Sequence, residues 1–106
     1  MTHPIDQLFE MVQTSRQETE VANRTAQLLK DGNPKIAKKV VEEAAEVALD
    51  AAVADRDGVI RESADLLYNL TVLWVWMGIT PAEIWHEMAL REKELGLAGK
   101  WPKSTP

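Results

Sequence analysis

The sequence predicts an all-α protein, an antiparallel bundle of four to five helices. Apolar residues recur three and four positions apart along most of the chain, as they do on one face of a helix. Proline, glycine, asparagine and aspartate divide these runs, and no run shows the alternation that is typical of a strand. At 106 residues the chain is expected to form one domain, 1–106, with a loose C-terminal tail from about 96 to 106.

Capping signals set the helix boundaries in the first half of the chain. Gly32 is expected to be the C-cap of a short helix. Asn33 and Pro34 then predict an N-cap and a first-turn proline for the next helix. The predicted helices are 2–17, 21–30, 34–54, 59–77 and 80–95.

The second half of the chain carries three further signals. Asp57 is expected to cap the helix that starts at Val59, and Gly78 is expected to end it. Thr80 and Glu83 have the spacing of a capping box, which predicts the start of the last helix.

The composition excludes several classes of function. A net charge of −5, from 17 acidic and 12 basic residues, disfavours nucleic acid or an anionic membrane as the main partner. Cysteine is absent, which excludes thiolate metal sites and a cysteine nucleophile and fits a cytoplasmic location. The first residues lack the regions of a signal peptide, and the longest apolar run, about 70–79, is too short to span a bilayer.

Two acidic patterns lie inside alanine-rich helical segments: Glu42-Glu43-x-x-Glu46 and Glu62-x-x-Asp65. Residues three apart share one helix face and lie about 4.5 Å apart along the axis. Carboxylates grouped on inner faces repel one another and are costly to bury without cations. Hard divalent ions such as Mg²⁺ take oxygen ligands, so the patterns predict a helical metal site.

The short break between the third and fourth predicted helices indicates that they pack as antiparallel neighbours. The late part of one helix then lies beside the early part of the next, which brings Glu46 and Asp50 toward Glu62 and Asp65. The alternative is structural, because glutamate and lysine are good helix formers that usually lie solvated on helix surfaces. The spacing alone leaves both interpretations open.

Longer stretches around these acids resemble a known family. The chain contains Thr25-Ala-Gln-Leu-Leu-Lys-Asp-Gly32, then Lys35-Ile-Ala-Lys-Lys-Val-Val-Glu-Glu-Ala-Ala-Glu46, then Glu62-Ser-Ala-Asp-Leu-Leu-Tyr-Asn-Leu70. Over roughly residues 22–95 it is similar to the phosphoribosyl-ATP pyrophosphohydrolases, which belong to the all-α, MazG-like superfamily. Two positions differ: Val41 stands where the family commonly has glycine, and Arg24 where an aromatic residue or serine is commoner.

The resemblance implies an activity and a cofactor. The activity is hydrolysis between the α and β phosphates of phosphoribosyl-ATP, which yields phosphoribosyl-AMP and pyrophosphate in the second step of histidine biosynthesis. The cofactor is Mg²⁺, for which Mn²⁺ could substitute. The superfamily forms dimers or tighter assemblies, so the resemblance also implies a homodimer or a higher homo-oligomer.

By the same resemblance, four acidic residues would hold the metal ions: Glu43, Glu46, Glu62 and Asp65. Glu42 adjoins them and is the candidate catalytic group that orients or deprotonates the attacking water, with a ligand glutamate as the alternative. Lys38 and Lys39 lie one turn before the acids and are candidates for phosphate contacts. Asn69 is a candidate for a contact to the sugar.

Two other functions stay open. A related enzyme that clears non-standard or deoxynucleoside triphosphates would share the acids, whereas a non-catalytic helical interaction module would not need them. A di-iron site is not expected, because Glu83-x-x-His86 supplies one half of such a site and the only other histidine, His3, lies at the terminus. Trp74 and Trp76 lie about 160° apart on a helix, which favours a dimer that covers both faces.

Overall fold

The computed structural model describes residues 3–16 and 24–96, which form five helices and no strand. The all-α prediction is therefore confirmed. None of these helices is long and apolar enough to cross a bilayer. The predicted tail beyond Gly96 and the start of the predicted second helix lie outside the described residues. The helices are α1 (Pro4–Arg16), α2 (Arg24–Asp31), α3 (Asn33–Ala52), α4 (Arg56–Met77) and α5 (Pro81–Leu95).

The two longest helices, α3 and α4, form a hairpin and make the most extensive contact between any two elements. Residues 53–55 join them, and Ala54 reverses the chain with a left-handed φ of 56°. The backbone amide of Asp55 donates to the carbonyl of Asp50 at 2.9 Å, which closes the turn. The two helices are thus antiparallel neighbours, as predicted.

The hydrophobic core lies at the end of this hairpin that is remote from the turn. Ile36, at the start of α3, faces Val72 and Val75 near the end of α4. α1 and α2 close over these side chains, and the Arg16 guanidinium donates to the carbonyl of Val75. The buried cluster consists of Val12, Leu28, Leu29, Ile36, Val72 and Val75.

Toward the turn, the hairpin extends beyond this core. Of the 20 residues of α3, only Ile36 is buried. Several large apolar side chains are exposed in the single chain, including Val41 at 68%, Leu49 at 63% and Val53 at 75%. Folding of one chain therefore leaves large apolar side chains of the hairpin exposed. We call these side chains together the hairpin surface; they are Val41, Leu49, Val53, Ile60 and Leu67.

The start of α4 corrects one capping prediction. Asp55, not Asp57, is the N-cap: its backbone is non-helical, and its carboxylate accepts a hydrogen bond from the amide of Gly58 at 3.0 Å. Asp57 lies in the first turn of the helix. The left-handed conformation of Ala54 ends α3 two residues earlier than predicted, and this brings Asp55 into the capping position.

The start of α3 corrects a second capping prediction, that of the N-cap at Asn33. Gly32, not Asn33, occupies the N-cap, with a φ of 90° that favours glycine, while Asn33 is already helical. The amide of Gly32 also donates to the carbonyl of Leu28 at 3.2 Å, so its predicted role at the end of α2 is confirmed. The predicted C-cap at Gly78 and the capping box from Thr80 are confirmed as well.

Candidate metal centre and active site

Three acidic side chains from α3 and α4 converge midway along the hairpin. Glu43, Glu62 and Asp65 each offer one carboxylate oxygen, and these oxygens lie within 4.8 Å of one another. All three residues are partly buried. Within the described part of the chain, this is the one group of three or more acidic or histidine side chains arranged to hold a metal ion. We call it the carboxylate cluster.

The electrostatics of the cluster favour a bound cation. Partial burial raises the pKa of Glu62 above its ordinary value. A hydrogen bond with Glu43 and the negative charges of Asp65, Glu43 and Glu46 raise the pKa further. Each of these effects disfavours the ionised form of Glu62. A cation bound among the carboxylate oxygens would stabilise that form.

The other two predicted acids lie outside the cluster. Glu46 is exposed, although its charge still acts on Glu62. Asp50 lies nearer the turn, where its carboxylate packs against Gly58. Of these acids of α3, Glu43 is the one with a carboxylate oxygen within 4.8 Å of oxygens of both Glu62 and Asp65.

A pocket of about 290 Å³ opens beside the cluster, between α2, α3 and α4. Glu43 and Asp65 form part of its wall, so the cluster borders the pocket. The wall carries three basic and three acidic side chains, which suits a ligand that binds together with a cation. It is lined by Arg24, Gln27, Leu28, Asp31, Lys35, Lys39, Glu43, Asp65, Tyr68 and Asn69.

The predicted substrate-binding residues divide between this pocket and its surroundings. Lys39 and Asn69 line the pocket, and the side-chain amide of buried Asn69 donates to the carbonyl of Asp65 at 2.9 Å. Lys38 is 74% exposed and does not line the pocket. Glu42, the predicted catalytic residue, also lies outside the pocket wall, with its carboxylate 4.0 Å from Nζ of Lys38 and 3.8 Å from Nζ of Lys39.

Sequence reasoning missed the contribution of α2 to this wall. The Arg24 guanidinium carbon lies 4.3 Å from the centroid of the Tyr68 ring. The Tyr68 hydroxyl is hydrogen-bonded to the hydroxyl of buried Thr25, which fixes the ring against α2. Thr25 and Tyr68 belong to the stretches that carry the family resemblance, and this was the one signal in the sequence for their role.

The Glu83-x-x-His86 pattern has a structural explanation. The Glu83 carboxylate accepts a hydrogen bond from the backbone amide of Thr80 at 2.8 Å, and so caps α5. His86 is exposed. Neither residue belongs to the carboxylate cluster.

Fold and site together define a class: a small all-α protein with a carboxylate cluster beside a pocket of mixed charge. Comparison with known proteins narrows the class to a family. The model of the phosphoribosyl-ATP pyrophosphohydrolase family matches residues 6–92, and the chain belongs to that family.

Several similar proteins carry curated names. "Phosphoribosyl-ATP pyrophosphatase 2" of Rhodopseudomonas palustris is 50% identical over 104 residues, which cover 98% of this chain and 79% of the relative. The protein of the same name from Bradyrhizobium diazoefficiens is 49% identical, with coverages of 98% and 78%. "Phosphoribosyl-ATP pyrophosphatase" of Azospirillum brasilense is 42% identical over 96 residues, with coverages of 91% and 86%.

Proposed function

We propose that this chain hydrolyses the α–β phosphoanhydride of phosphoribosyl-ATP to phosphoribosyl-AMP and pyrophosphate, the second step of histidine biosynthesis. The names of the relatives supply the substrate, and membership of the family supports its transfer to this chain. One observation carries the chemistry: Glu43, Glu62 and Asp65 offer oxygens within 4.8 Å of one another beside a pocket with three basic side chains.

The donor set of the cluster suits Mg²⁺, or Mn²⁺ as a substitute, because carboxylate oxygens are the ligands that these hard ions prefer. Glu43, Glu62 and Asp65 would be ligands. Glu46 would be the fourth, since its exposed side chain lies one turn along α3 from Glu43. Held by these residues, such a cation would supply charge neutralisation and polarisation at the phosphoanhydride.

The side chains of the pocket would bind and orient the nucleotide. Lys39 lines the wall one turn before Glu43, where it can donate to phosphate oxygens. Lys38 would add a second positive charge from the rim. Asn69 uses its amide N–H on the carbonyl of Asp65, which leaves its amide oxygen to accept a hydrogen bond from a ribose hydroxyl.

For proton transfer, Glu42 remains our candidate for the group that orients or deprotonates the attacking water, with a ligand glutamate as the alternative. Glu42 directly precedes Glu43 on α3. Its side chain is paired with Lys38 and Lys39, so it would have to rotate away from them to reach the pocket.

We propose that a second copy of the chain covers the hairpin surface, as a homodimer or part of a higher homo-oligomer. Val41, Leu49 and Val53 are each more than three-fifths exposed in the single chain. Exposed apolar side chains grouped on one face mark association sites, and an antiparallel hairpin can pair with its own copy.

A single-domain organisation and a cytoplasmic location stay predictions from the composition.

The purified chain should release pyrophosphate from phosphoribosyl-ATP when Mg²⁺ or Mn²⁺ is present, and should stop when a chelator removes the metal. Glu43→Gln and Asp65→Asn should each lower turnover by orders of magnitude while helicity is retained. Glu92→Gln, a matched change of an exposed glutamate on α5, should leave turnover at the level of the unmodified chain.

The same assay separates the other functions. Faster hydrolysis of deoxynucleoside triphosphates than of phosphoribosyl-ATP would favour the enzyme that clears nucleotides. No turnover of any nucleotide, together with tolerance of neutral residues at Glu43 and Asp65, would favour the interaction module.

A further inference from the structure

The side chains of α3 that line the pocket change from basic to acidic along the helix. Lys35, Lys39 and Glu43 all line it at intervals of four residues, so they form one row on one helix face. Eight residues of helix separate Lys35 from Glu43, which corresponds to about 12 Å along the axis. Lys35 is therefore remote from the carboxylate cluster, Lys39 lies between the two, and the acidic Asp31 of α2 also lines the pocket.

Arg24 adds a positioned cation to this wall from α2. Its guanidinium stacks on the face of the Tyr68 ring at 4.3 Å, and the hydrogen bond between Tyr68 and Thr25 holds that ring in place. A stacked guanidinium keeps its N–H groups in the plane of the fork, where they can donate to a ligand. Among the described residues, neither Arg24 nor Lys35 forms an ion pair with an acid.

The substrate of the proposed function has a matching distribution of charge. Phosphoribosyl-ATP carries its triphosphate on one ribose and a phosphate monoester on the second ribose, across the adenine ring. ATP lacks the second group. If the triphosphate lies at the carboxylate cluster, the monoester needs a cationic site elsewhere in the pocket.

We propose that Arg24, held on Tyr68, binds this phosphate monoester and so determines the preference of the site for phosphoribosyl-ATP over ATP. A planar guanidinium with paired N–H donors suits a phosphate. The proposal rests on the proposed function, since it assigns one group of that substrate to Arg24.

The test compares ligands that differ only in the phosphoribosyl group. Calorimetry would measure the Kd of phosphoribosyl-AMP and of AMP for the unmodified chain, Arg24→Gln and Arg24→Lys. Arg24→Gln should raise the Kd of phosphoribosyl-AMP by about 10- to 100-fold, as expected for a lost hydrogen bond to a charged group. It should change the Kd of AMP less than about twofold. Arg24→Lys keeps the charge without the planar fork. Its Kd for phosphoribosyl-AMP should lie between those of the unmodified chain and Arg24→Gln.

The control is Lys30→Gln, which removes an exposed cation from the same short helix but outside the pocket wall. It should leave both dissociation constants unchanged. In the hydrolysis assay, Arg24→Gln should lower kcat/KM for phosphoribosyl-ATP but not for ATP.

Three results would overturn the proposal: no effect of Arg24→Gln, an equal loss for AMP and phosphoribosyl-AMP, or no preference between the two ligands in the unmodified chain. An equal loss would place Arg24 on the adenosine part of the ligand. If Arg24→Gln fails to fold, Arg24→Lys decides, because an unchanged preference would then contradict the assignment. Failure of the proposed function gives a different result. In that case neither the unmodified chain nor any Arg24 variant would release pyrophosphate from phosphoribosyl-ATP.

Discussion

The carboxylate of Asp50 on α3 lies directly against Gly58 on α4. A Cβ added to Gly58 would stand 2.6 Å from Oδ2 of Asp50 and 2.6 Å from Oδ2 of Asp55. The two helices can approach this closely beside the turn because position 58 has no side chain. Farther along the same hairpin, Glu43 faces Glu62 and Asp65.

Gly58→Ala is expected to lower the free energy of unfolding by about 1 kcal/mol, although alanine is the better helix former. The added methyl group displaces Asp50 and also Asp55, whose carboxylate caps α4. Urea unfolding would measure the loss. In an Asp50→Ala background the same change should cost less, because one of the two clashes is gone. Equal or greater stability of Gly58→Ala in the unmodified background would show that the close approach is unimportant.

The hairpin surface predicts the oligomeric state. In solution the chain should sediment at twice the mass of one 11.9 kDa chain, or more. Leu49→Glu places a charge on this surface and should shift the protein toward the monomer in analytical ultracentrifugation. Gln13→Glu adds the same charge to an exposed position on α1 and should not. A monomeric unmodified chain, or an unchanged Leu49→Glu assembly, would refute pairing through this face.

The raised pKa of Glu62 predicts how the stability of the metal-free protein depends on pH. The folded state holds this proton more tightly than the unfolded chain does. The resulting stabilisation is complete below the unfolded-state pKa and is lost as pH rises through the folded-state pKa. Measured in chelator, the free energy of unfolding should therefore fall relative to that of Glu62→Gln as pH rises. Added Mg²⁺ should reverse the trend, and a difference that does not vary with pH would contradict it.

Glu42→Gln tests the proposed base. Loss of a general base should lower kcat by about 100-fold or more, because the attacking water is no longer activated, while KM stays within a few fold. Steady-state kinetics with phosphoribosyl-ATP would separate the two constants. A rise confined to KM would instead make Glu42 a residue that positions Lys38 and Lys39, with which it pairs.

Much of the fold was predictable because its signals are local. Helical periodicity, Gly32, Gly78 and the box at Thr80 fixed the elements, and the short break before α4 fixed their antiparallel pairing. The cap at Asp55 was missed because it depends on the left-handed conformation of Ala54. Alanine rarely adopts that conformation, so the sequence does not predict it.

The site divides in the same way. Spacing alone placed the acids on neighbouring faces, but the register of the hairpin decides which of them meet, and spacing within one helix does not determine that register. The basic wall of the pocket needs α2 to fold onto α4. Periodicity within one helix does not predict the contact between α2 and α4. The sequence therefore predicted no role for Arg24.

The most direct test of the account is whether the carboxylate cluster binds a divalent cation. A ligand that binds only the folded state stabilises it by about 2.7 kcal/mol at 100 times its Kd. For a chain of this length that is a rise in Tm on the order of 10 °C. Thermal melts with and without Mg²⁺ should show this rise for the unmodified chain and for Glu92→Gln, and little or none for Glu43→Gln or Asp65→Asn. No rise in the unmodified chain, or an equal rise in all four proteins, would contradict the central claim that α3 and α4 hold the metal between them.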